Sequence, residues 1–362
     1  MLVHICCSVD SHYFLQKLRQ EYPHERLVGF FYDPNIHPYS EYTLRLLDVK
    51  RSCKMLGIEL IEGAYDTRRW LEAVRGLEHE PEKGARCSVC FDRRFEVTAQ
   101  KAAQLGEKCF TSTLLTSPKK SLSQLQRAGD ALGEKFGLRF IAPDYRKASG
   151  TQEQNRLAKR DALYRQDYCG CLFGLTMQRD QQQKLADELF SPLSRQCLPE
   201  SIEARIALYE KRMELETKEI PYQIVKQRFL NWRLQRAFVR IAKTVVPAHF
   251  LPYSTLRGTY TRGKIAYATG ALHHLNRDEV KCITLAHYNH LADTKYPHVT
   301  ALIFSPPSFE KEVTLRMALG LDAYDLSTVI VLEKIPSSKI ELYLHSTTYS
   351  DVKEVLHDSK TN

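Results

Sequence analysis

Three closely spaced pairs of cysteines are the residues of this chain most suited to chemistry. They are Cys6-Cys7, Cys87-Ser88-Val89-Cys90 and Cys169-Gly170-Cys171. The C-x-x-C pair opens a predicted helix, where residues three apart share a face and can hold one metal centre. That spacing alone is shared by zinc sites, iron–sulfur sites and thioredoxin-type redox pairs. Three pairs together indicate a bound metal centre rather than a structural coincidence.

The number of thiols points to two neighbouring centres. A tetrahedral zinc ion or a cubane iron–sulfur cluster takes four thiolates, and the three pairs offer six. Because adjacent residues of an extended segment point to opposite sides, we expect Cys6 and Cys7 to serve different centres. Asp10 adds an oxygen ligand, which suits an iron ion with an open coordination position, or it caps the helix that follows. The hypothesis is one four-cysteine cluster beside a mononuclear metal held by two cysteines and Asp10.

The other cysteines and the histidines are expected to be structural. Isolated cysteines are more typical of small core residues than of ligands, and they are Cys53, Cys109, Cys197 and Cys282. His4 lies inside the first predicted strand, which favours a hydrogen-bonded core histidine. His287, His290 and His298 lack a convincing metal spacing.

Length and composition indicate a two-domain cytoplasmic protein. At 362 residues the chain exceeds what one hydrophobic core usually organises. No apolar run approaches the roughly 18 residues needed to span a bilayer, and the first residues lack the pattern of a secretion signal. The cytoplasm would keep the ten cysteines reduced, which favours metal binding over disulfides. The net charge of +9 is compatible with an RNA partner.

The elements that must position the cysteine pairs alternate between strand and helix. Strands are predicted at about 1–7, 27–32, 58–61, 108–113 and 138–141, and helices at about 11–22, 39–56, 66–74, 86–105 and 122–136. This alternation is typical of a parallel sheet with helices on both faces. Such sheets bind ligands outside the carboxyl ends of their strands, where Cys6 and Cys7 follow the first strand. Residues 1–190 are therefore assigned to a metal-binding catalytic α/β domain.

Residues 200–362 are predicted to form a smaller accessory α+β domain. Helices are expected at about 200–218 and 222–245, and strands at 299–304, 328–332 and 339–344. The second helix would carry Phe229, Trp232 and Phe238 among six basic residues, which are Lys226, Arg228, Arg233, Arg236, Arg240 and Lys243. This density favours binding of tRNA phosphates, and the alternative is a solvated amphipathic helix. Nearer the cysteines, further candidate phosphate contacts are Arg86, Arg93, Arg94, Lys119 and Lys120.

Several motifs in the N-terminal half occur in the order found in one known family. They are His4-Ile5-Cys6-Cys7, Asp33-Pro34-Asn35-Ile36-His37-Pro38 with Glu41-Tyr42, Arg86-Cys87-Ser88-Val89-Cys90-Phe91, Thr113-Leu114-Leu115-Thr116-Ser117-Pro118, and Tyr164-Arg165-Gln166-Asp167-Tyr168-Cys169-Gly170-Cys171. With these motifs the chain resembles the cobalamin-independent epoxyqueuosine reductases of the QueH type. The resemblance covers roughly residues 1–174.

The resemblance implies an oxidoreductase with a fold like that of the adenine-nucleotide α-hydrolase (HUP) group. It implies a [4Fe-4S] cluster, a nearby mononuclear iron, and as substrate a tRNA whose wobble epoxyqueuosine is reduced to queuosine with electrons from an unidentified donor. Carried over residue by residue, it assigns Cys7, Cys87, Cys90 and Cys169 to the cluster, and Cys6, Cys171 and Asp10 to the iron. Tyr168, His37 and Tyr39 adjoin the motifs and are candidate proton donors.

Two other functions compete with this hypothesis. The segment Cys7-Ser8-Val9-Asp10-Ser11 faintly resembles the pyrophosphate loop of ATP-dependent iron–sulfur tRNA thiolases, although cysteines replace both glycines of that loop. The second alternative is a non-catalytic RNA-binding protein that zinc stabilises. Six clustered thiols with an aspartate are more than a structural zinc needs.

Overall fold

Two units make up the chain in its computed structural model, which describes residues 1–117, 121–147, 149–190, 192, 194–276 and 279–358. The first unit consists of Met1–Phe190 with Arg205–Glu219, and the second consists of Ser191–Ala204 with Ile220–Asn362. The sequence had placed all of 200–362 in the accessory domain. The structure differs because one face of the helix at Ile202–Thr217 contributes to the first unit.

A five-stranded parallel sheet in the order β3-β2-β1-β4-β5 forms the centre of the first unit. Its strands are β1 (Leu2–Ile5), β2 (Val28–Phe31), β3 (Glu59–Glu62), β4 (Cys109–Ser112) and β5 (Arg139–Phe140). The flanking helices are α1 (Ser8–Glu21), α2 (Tyr39–Leu56), α3 (Thr67–Ala73), α4 (Ala85–Gln104), α5 (Leu122–Phe136), α6 (Gly150–Arg160), α7 (Leu172–Gln181) and α8 (Ile202–Thr217). The predicted α/β fold with a parallel sheet is confirmed.

Helices α6 and α7 were missed in the sequence because few of their residues are both apolar and buried. The buried residues of α6 are Gly150, Gln154, Leu157 and Ala158. Only Leu157 and Ala158 of these have apolar side chains. In α7 the buried residues are Leu175 and Arg179. None of the helices in the described part of the chain is long and apolar enough to cross a membrane.

The central strand β1 fixes where the loops of the site begin. It pairs with β2 on one side and β4 on the other, with Ile5 opposite Phe31 and His4 opposite Ser112. These strands end together, so the segments that follow them meet at one edge of the sheet. His4 also ties the strands together, since its ring nitrogens bond to Ser112 Oγ at 2.8 Å and to the Tyr32 carbonyl oxygen at 3.1 Å. The prediction of a hydrogen-bonded core histidine is confirmed, and burial lowers its pKa.

The second unit contains a mixed sheet, β10-β11-β12-β13-β8, and an antiparallel sheet, β7-β6-β14-β9. The strands are β6 (Tyr222–Ile241), β7 (Thr244–Val246), β8 (His249–Phe250), β9 (Tyr260–Gly263), β10 (Ile265–Thr269), β11 (Leu272–Leu275), β12 (Val280–Thr284), β13 (Thr328–Leu332) and β14 (Ile340–Asp358). The helices are α9 (Leu285–Ala292), α10 (Val299–Phe304) and α11 (Phe309–Ala318). The predicted α+β architecture is confirmed.

Two elements of this unit were predicted wrongly. The predicted basic helix over 222–245 is the strand β6, which pairs with β14 from Tyr222 to Ile241. Long-range pairing of this kind overrides local helical spacing. The predicted strand over 299–304 is the helix α10, where the His298 side chain accepts a hydrogen bond from the Ala301 amide and caps the helix. Short apolar runs do not distinguish a strand from a helix by periodicity.

A buried ion pair joins α8 to the helices near the site. Arg212 donates to Asp48 Oδ1 at 2.6 Å, and both side chains are almost fully buried. The other carboxylate oxygen of Asp48 accepts hydrogen bonds from the Ser8 hydroxyl and from the Tyr164 amide. Asp48 therefore holds the first residue of α1, immediately after Cys7, against α2.

Replacing Arg212 with methionine leaves the Asp48 carboxylate buried without its cation. We expect Arg212→Met to lower the free energy of unfolding of the first unit by about 3–5 kcal/mol, as measured by urea denaturation. The matched control is Arg68→Met, which removes the exposed Arg68–Glu72 pair and should leave the unfolding midpoint nearly unchanged. Equal midpoints for Arg212→Met and the wild type would contradict the structural role of this pair.

Candidate metal centre

The turn from β1 into α1 brings two sulfurs and a carboxylate together. The strand ends at Ile5, the chain bends at Cys6, and Cys7 occupies the N-cap position of α1 in an extended conformation. The Cys6 and Cys7 Sγ atoms lie 3.9 Å apart. Cys6 Sγ also lies 3.9 Å from Oδ2 of Asp10, which is in the first turn of the helix rather than at its cap. The expectation that the two sulfurs point to opposite sides is wrong, because the strand geometry on which it rested has ended at Ile5.

The spacing of these three groups fits a single metal ion. Their donor atoms all lie within 4.8 Å of one another, and no other group of three His, Cys, Asp or Glu side chains meets this condition among the described residues. Two sulfurs bound to one tetrahedral ion at about 2.3 Å would lie about 3.8 Å apart. The observed separation of 3.9 Å is close to that value. Three ligands leave the fourth position of a tetrahedral ion open.

Electrostatics also favour a cation at this position. Cys7 is buried, and its pKa lies well above the usual value because of its hydrogen bond with Cys6, its burial and the nearby charge of Asp10. Loss of solvent contact raises the pKa of the Asp10 carboxyl, and hydrogen bonds from Cys7, Gln154 and Cys6 offset part of this effect. The Cys7 thiol and the Asp10 carboxyl are therefore harder to deprotonate than usual, and a bound metal ion would supply the positive charge that stabilises their charged forms.

The C-x-x-C pair lies in the first turns of α4. Cys90 is buried against Trp70 and Val74, and Cys171 packs against the same cluster. Burial raises the pKa of Cys90 to about 12, and the charges of Cys169 and Cys171 act in the same direction. The Cys87 sulfur is partly exposed and accepts a hydrogen bond from the Lys83 amide at 3.3 Å. The second and third cysteine pairs therefore meet around Cys90.

The loop Cys169-Gly170-Cys171 is held against the segment that follows β2. Gly170 has a φ of +99°, and a Cβ atom there would lie 2.8 Å from Ile36 Cγ1, so only glycine fits without displacement. Its carbonyl oxygen accepts a hydrogen bond from the His37 amide at 2.8 Å. This backbone conformation therefore requires glycine between the two thiols.

Arg94 places a buried positive charge among the thiols. It forms an ion pair with Asp33, and both side chains are almost fully buried. Burial alone would lower the pKa of Arg94, but Asp33 and the neighbouring thiols raise it. The thiols that interact with its charge come from all three cysteine pairs, and they are Cys90, Cys6 and Cys169. Sequence analysis had not identified this role.

The arginines expected to contact RNA near the cysteines are engaged within the protein. Arg86 is buried and donates to the carbonyl oxygens of Leu77 and Glu78. Arg93 is ion-paired with Asp66 at 3.2 Å, and Arg94 is paired with Asp33. Burial of the Arg86 side chain disfavours its predicted phosphate contact, and the contacts of Arg93 and Arg94 stay predictions. The other two candidates, Lys119 and Lys120, lie outside the described residues.

A cavity of about 350 Å³ adjoins the Cys6 sulfur and the Asp10 carboxylate. Its lining includes residues from all the segments described above, among them Cys6, Asp10, Asp33, Arg45, Arg94, Gln154, Tyr168 and Cys169. The volume is within the range of small-molecule sites in proteins. The side chains of Arg45, Arg94, Gln154 and Tyr168 thus line the same cavity as Cys6 and Asp10.

The three candidate proton donors differ in their surroundings. Tyr168 lines the cavity, its hydroxyl donates to the His37 carbonyl oxygen at 2.6 Å, and burial raises its pKa. The His37 ring bonds through Nδ1 to the Asn35 carbonyl oxygen at 3.0 Å and packs on Trp70. Tyr39 is 61% exposed. Of the three, Tyr168 combines a retained proton with access to the cavity.

The expectation that isolated cysteines are core residues is confirmed for three of four. Cys53, Cys109 and Cys282 are buried, whereas Cys197 is exposed. Cys197 differs because it lies between α7 and α8 outside any strand or helix.

Gln154 of α6 was not recognised in the sequence. Its Nε2 atom donates to Asp10 Oδ1 at 2.7 Å. Gln154 lies in the mostly polar helix α6. Its residue type did not distinguish it from the neighbouring glutamines and asparagines. Its bond leaves Asp10 Oδ2 directed toward Cys6.

The strand order and the cysteine-containing segments at the carboxyl ends of the strands define a parallel α/β domain with a candidate metal site. A family model described as epoxyqueuosine reductase QueH matches residues 1–177. An epoxyqueuosine reductase QueH from Helicobacter pylori is 37% identical, and the match covers 99% of both chains. The chain therefore belongs to the epoxyqueuosine reductase QueH family and is an oxidoreductase, as its motifs indicated.

Other similar proteins share only part of the chain. An epoxyqueuosine reductase QueH from Thermotoga maritima is 35% identical, and the match covers 51% of this chain and 95% of that relative. Among solved structures, the U34-tRNA thiolase NcsA from Methanococcus maripaludis aligns with a TM-score of 0.33 and 16% identity, over 59% of this chain and 73% of that chain. The match to the Thermotoga relative indicates that a protein about half the length of this chain can constitute a member of the family.

Removing the amide of Gln154 should weaken metal binding at Cys6, Cys7 and Asp10. We expect Gln154→Met to reduce the affinity of the chain for Co²⁺ by about 10–100-fold, because partners that orient a metal ligand have effects of this size. Competition with a chelator, followed by thiolate-to-cobalt absorbance, measures the change.

The matched control for this variant is Gln126→Met. Gln126 also bonds to an aspartate, Asp130, but on the exposed face of α5. This control should bind Co²⁺ like the wild type. An unchanged affinity in Gln154→Met would show that Gln154 does not orient the ligand.

Proposed function

We propose that this chain reduces epoxyqueuosine to queuosine in tRNA, with a [4Fe-4S] cluster and a mononuclear iron as cofactors. Family membership supports the reaction, because the relatives carry the name of this activity. The observation that carries the metal part of the proposal is the convergence of Cys6, Cys7 and Asp10 on one position beside a cavity.

The distances favour a particular division of the ligands. We propose that Cys6, Cys7 and Asp10 hold the iron, and that the cluster is held by the remaining paired thiols, which are Cys87, Cys90, Cys169 and Cys171. The resemblance alone had assigned Cys7 to the cluster and Cys171 to the iron. The 3.9 Å separation of the Cys6 and Cys7 sulfurs supports exchanging these two residues. The contact of Cys171 with the Cys90 cluster supports the same exchange.

The reaction sets clear requirements for the site. Removing the epoxide oxygen breaks two carbon–oxygen bonds, forms a carbon–carbon double bond and releases the oxygen as water after uptake of two electrons and two protons. When bound, an iron with an open position supplies Lewis acidity and an iron–sulfur cluster supplies electrons singly. The electrons come from a donor outside this chain.

The protein groups meet the remaining requirements. Arg94 compensates the negative charge of the surrounding thiolates within a space that excludes most water. Gln154 keeps the Asp10 carboxylate in one orientation. Tyr168 keeps its proton at neutral pH because burial raises its pKa, and the residue lines the cavity while its hydroxyl donates to the His37 carbonyl oxygen. We propose that Tyr168 donates one of the two protons to the departing oxygen.

The test is an anaerobic assay of the purified chain with tRNA that contains epoxyqueuosine and a chemical reductant. Nucleoside mass spectrometry should detect queuosine with the wild type. Asp10→Asn should keep the visible absorbance of the cluster but lose turnover by more than about 100-fold, since loss of a direct ligand exceeds the effect of its outer partners. Cys90→Ala should lose both absorbance and turnover. Cys197→Ala, which removes an exposed thiol, is the matched control and should retain both.

Other results would separate the competing assignments. If Cys7→Ala bleaches the cluster and Cys171→Ala does not, the ligand division implied by the resemblance is correct and ours is wrong. A colourless zinc protein without queuosine formation would favour the non-catalytic alternative. Thiolation of tRNA that depends on ATP would favour the thiolase alternative.

A further inference from the structure

The basic charge of the chain is concentrated in one stretch of the second unit. Residues 220–277 contain no aspartate or glutamate. The same stretch contains ten basic residues, which are Lys226, Arg228, Arg233, Arg236, Arg240, Lys243, Arg257, Arg262, Lys264 and Arg277. In the structure this stretch supplies β6, β7 and β9, which are three of the four strands of the antiparallel sheet. Such an excess of positive charge is complementary to the phosphates of nucleic acid.

Three aromatic rings lie in register across this sheet. Phe238 of β6 pairs with Tyr343 of β14, and Tyr343 pairs with Tyr260 of β9. The rings of Phe238 and Tyr343 stack with centroids 5.3 Å apart and an interplanar angle of 9°. Tyr260 is 55% exposed. The neighbouring residues Val239 and Leu342 are buried in the core on the opposite face of the sheet.

Arginines flank this row of rings. The Arg236 guanidinium lies 5.2 Å from the ring centroid of Tyr343 and 5.9 Å from that of Phe238. Arg240 lies 5.4 Å from the Phe238 centroid. We refer to Arg236, Phe238, Arg240, Tyr260 and Tyr343 as the aromatic–arginine face.

The positive charge of this face is only partly compensated. Glu341 interacts with both Arg240, at 3.7 Å, and Arg262, at 3.3 Å. Arg236 is exposed and has no carboxylate partner among the described residues. One carboxylate therefore serves two arginines while a third guanidinium remains free to meet an anion. Aromatic rings that are at least partly exposed, beside an arginine without a carboxylate partner, are the combination with which proteins hold single-stranded nucleic acid, by base stacking and phosphate contacts.

We infer that the aromatic–arginine face binds unpaired nucleotides of RNA. The bases would stack on the exposed ring of Tyr260 and on the partly exposed rings of Phe238 and Tyr343, and the phosphates would contact Arg236. The inference rests on the proposed function in one respect, since it takes the strand to be part of the tRNA substrate. The Thermotoga relative is matched by only half of this chain, which agrees with an accessory binding role for the second unit.

The test measures binding of an unmodified tRNA transcript, a short oligouridylate and a duplex RNA to the full chain. Phe238→Leu combined with Tyr343→Leu keeps apolar volume but removes the rings, and it should weaken binding of tRNA and oligouridylate about tenfold. Arg236→Gln should weaken binding and reduce the salt dependence of the affinity by about 0.7 in log–log slope, the value for one phosphate of a single strand. Duplex binding should change little in both variants.

Matched controls come from the same unit. Phe304→Leu removes a ring that is 60% exposed, and Lys334→Gln removes an exposed charge, both away from the aromatic–arginine face. These variants should bind all three RNAs like the wild type. Far-UV circular dichroism verifies the fold of each variant, and Arg236→Gln provides a test that keeps all three aromatic rings.

The outcomes of this test separate the inference from the proposed function. Weakened RNA binding in the face variants, with a raised KM and an unchanged kcat for epoxyqueuosine reduction, supports both. Weakened RNA binding with a wild type that makes no queuosine supports the face and rejects the function. If every variant of the aromatic–arginine face binds RNA with the affinity of the wild type, the inference is wrong. The same result is expected if the face binds a protein instead of RNA.

Discussion

Mutual repulsion among acidic groups is the constraint on which the rest of the first unit depends. Cys6, Cys7 and Asp10 are held within a few ångströms by a turn that the sheet fixes at the end of β1. In a partly dehydrated space their charges cannot all exist without compensation. Arg94 supplies one fixed positive charge, and a metal ion at the open side of the three ligands would supply the rest. The Asp33 and Gln154 side chains keep these groups in place.

The sequence was sufficient for the parallel sheet of the first unit and for the helices α1 to α5, because local and global signals agree there. The ends of α2 and α5 were predicted to the residue, since each helix stops at a glycine in the left-handed conformation, Gly57 or Gly137. The sequence was insufficient to predict the strand β6, because its basic residues also have helical spacing. Only pairing with β14, about a hundred residues further along the chain, determines the strand.

In the candidate site, too, residue types could be predicted from the sequence, whereas contacts that depend on the fold could not. The cysteine pairs, Asp10 and Tyr168 could be identified from residue types and motif order. The convergence of the Cys6 and Cys7 sulfurs could not, because it depends on where the strand ends. Neither could the burial of Arg86 and Arg94, since an arginine near a cysteine motif gives no sign of whether it faces solvent or a carboxylate elsewhere in the fold.

The central claim is that Cys6, Cys7 and Asp10 bind one iron ion beside a separate cluster. Diffraction from anaerobically grown crystals of the full chain, recorded at the iron absorption edge, tests it most directly. The account predicts one anomalous peak within bonding distance of the Cys6 and Cys7 sulfurs and the Asp10 carboxylate. It predicts a second, stronger peak among Cys87, Cys90, Cys169 and Cys171. Absence of iron at the first position, or a cluster ligated by Cys7, would contradict it.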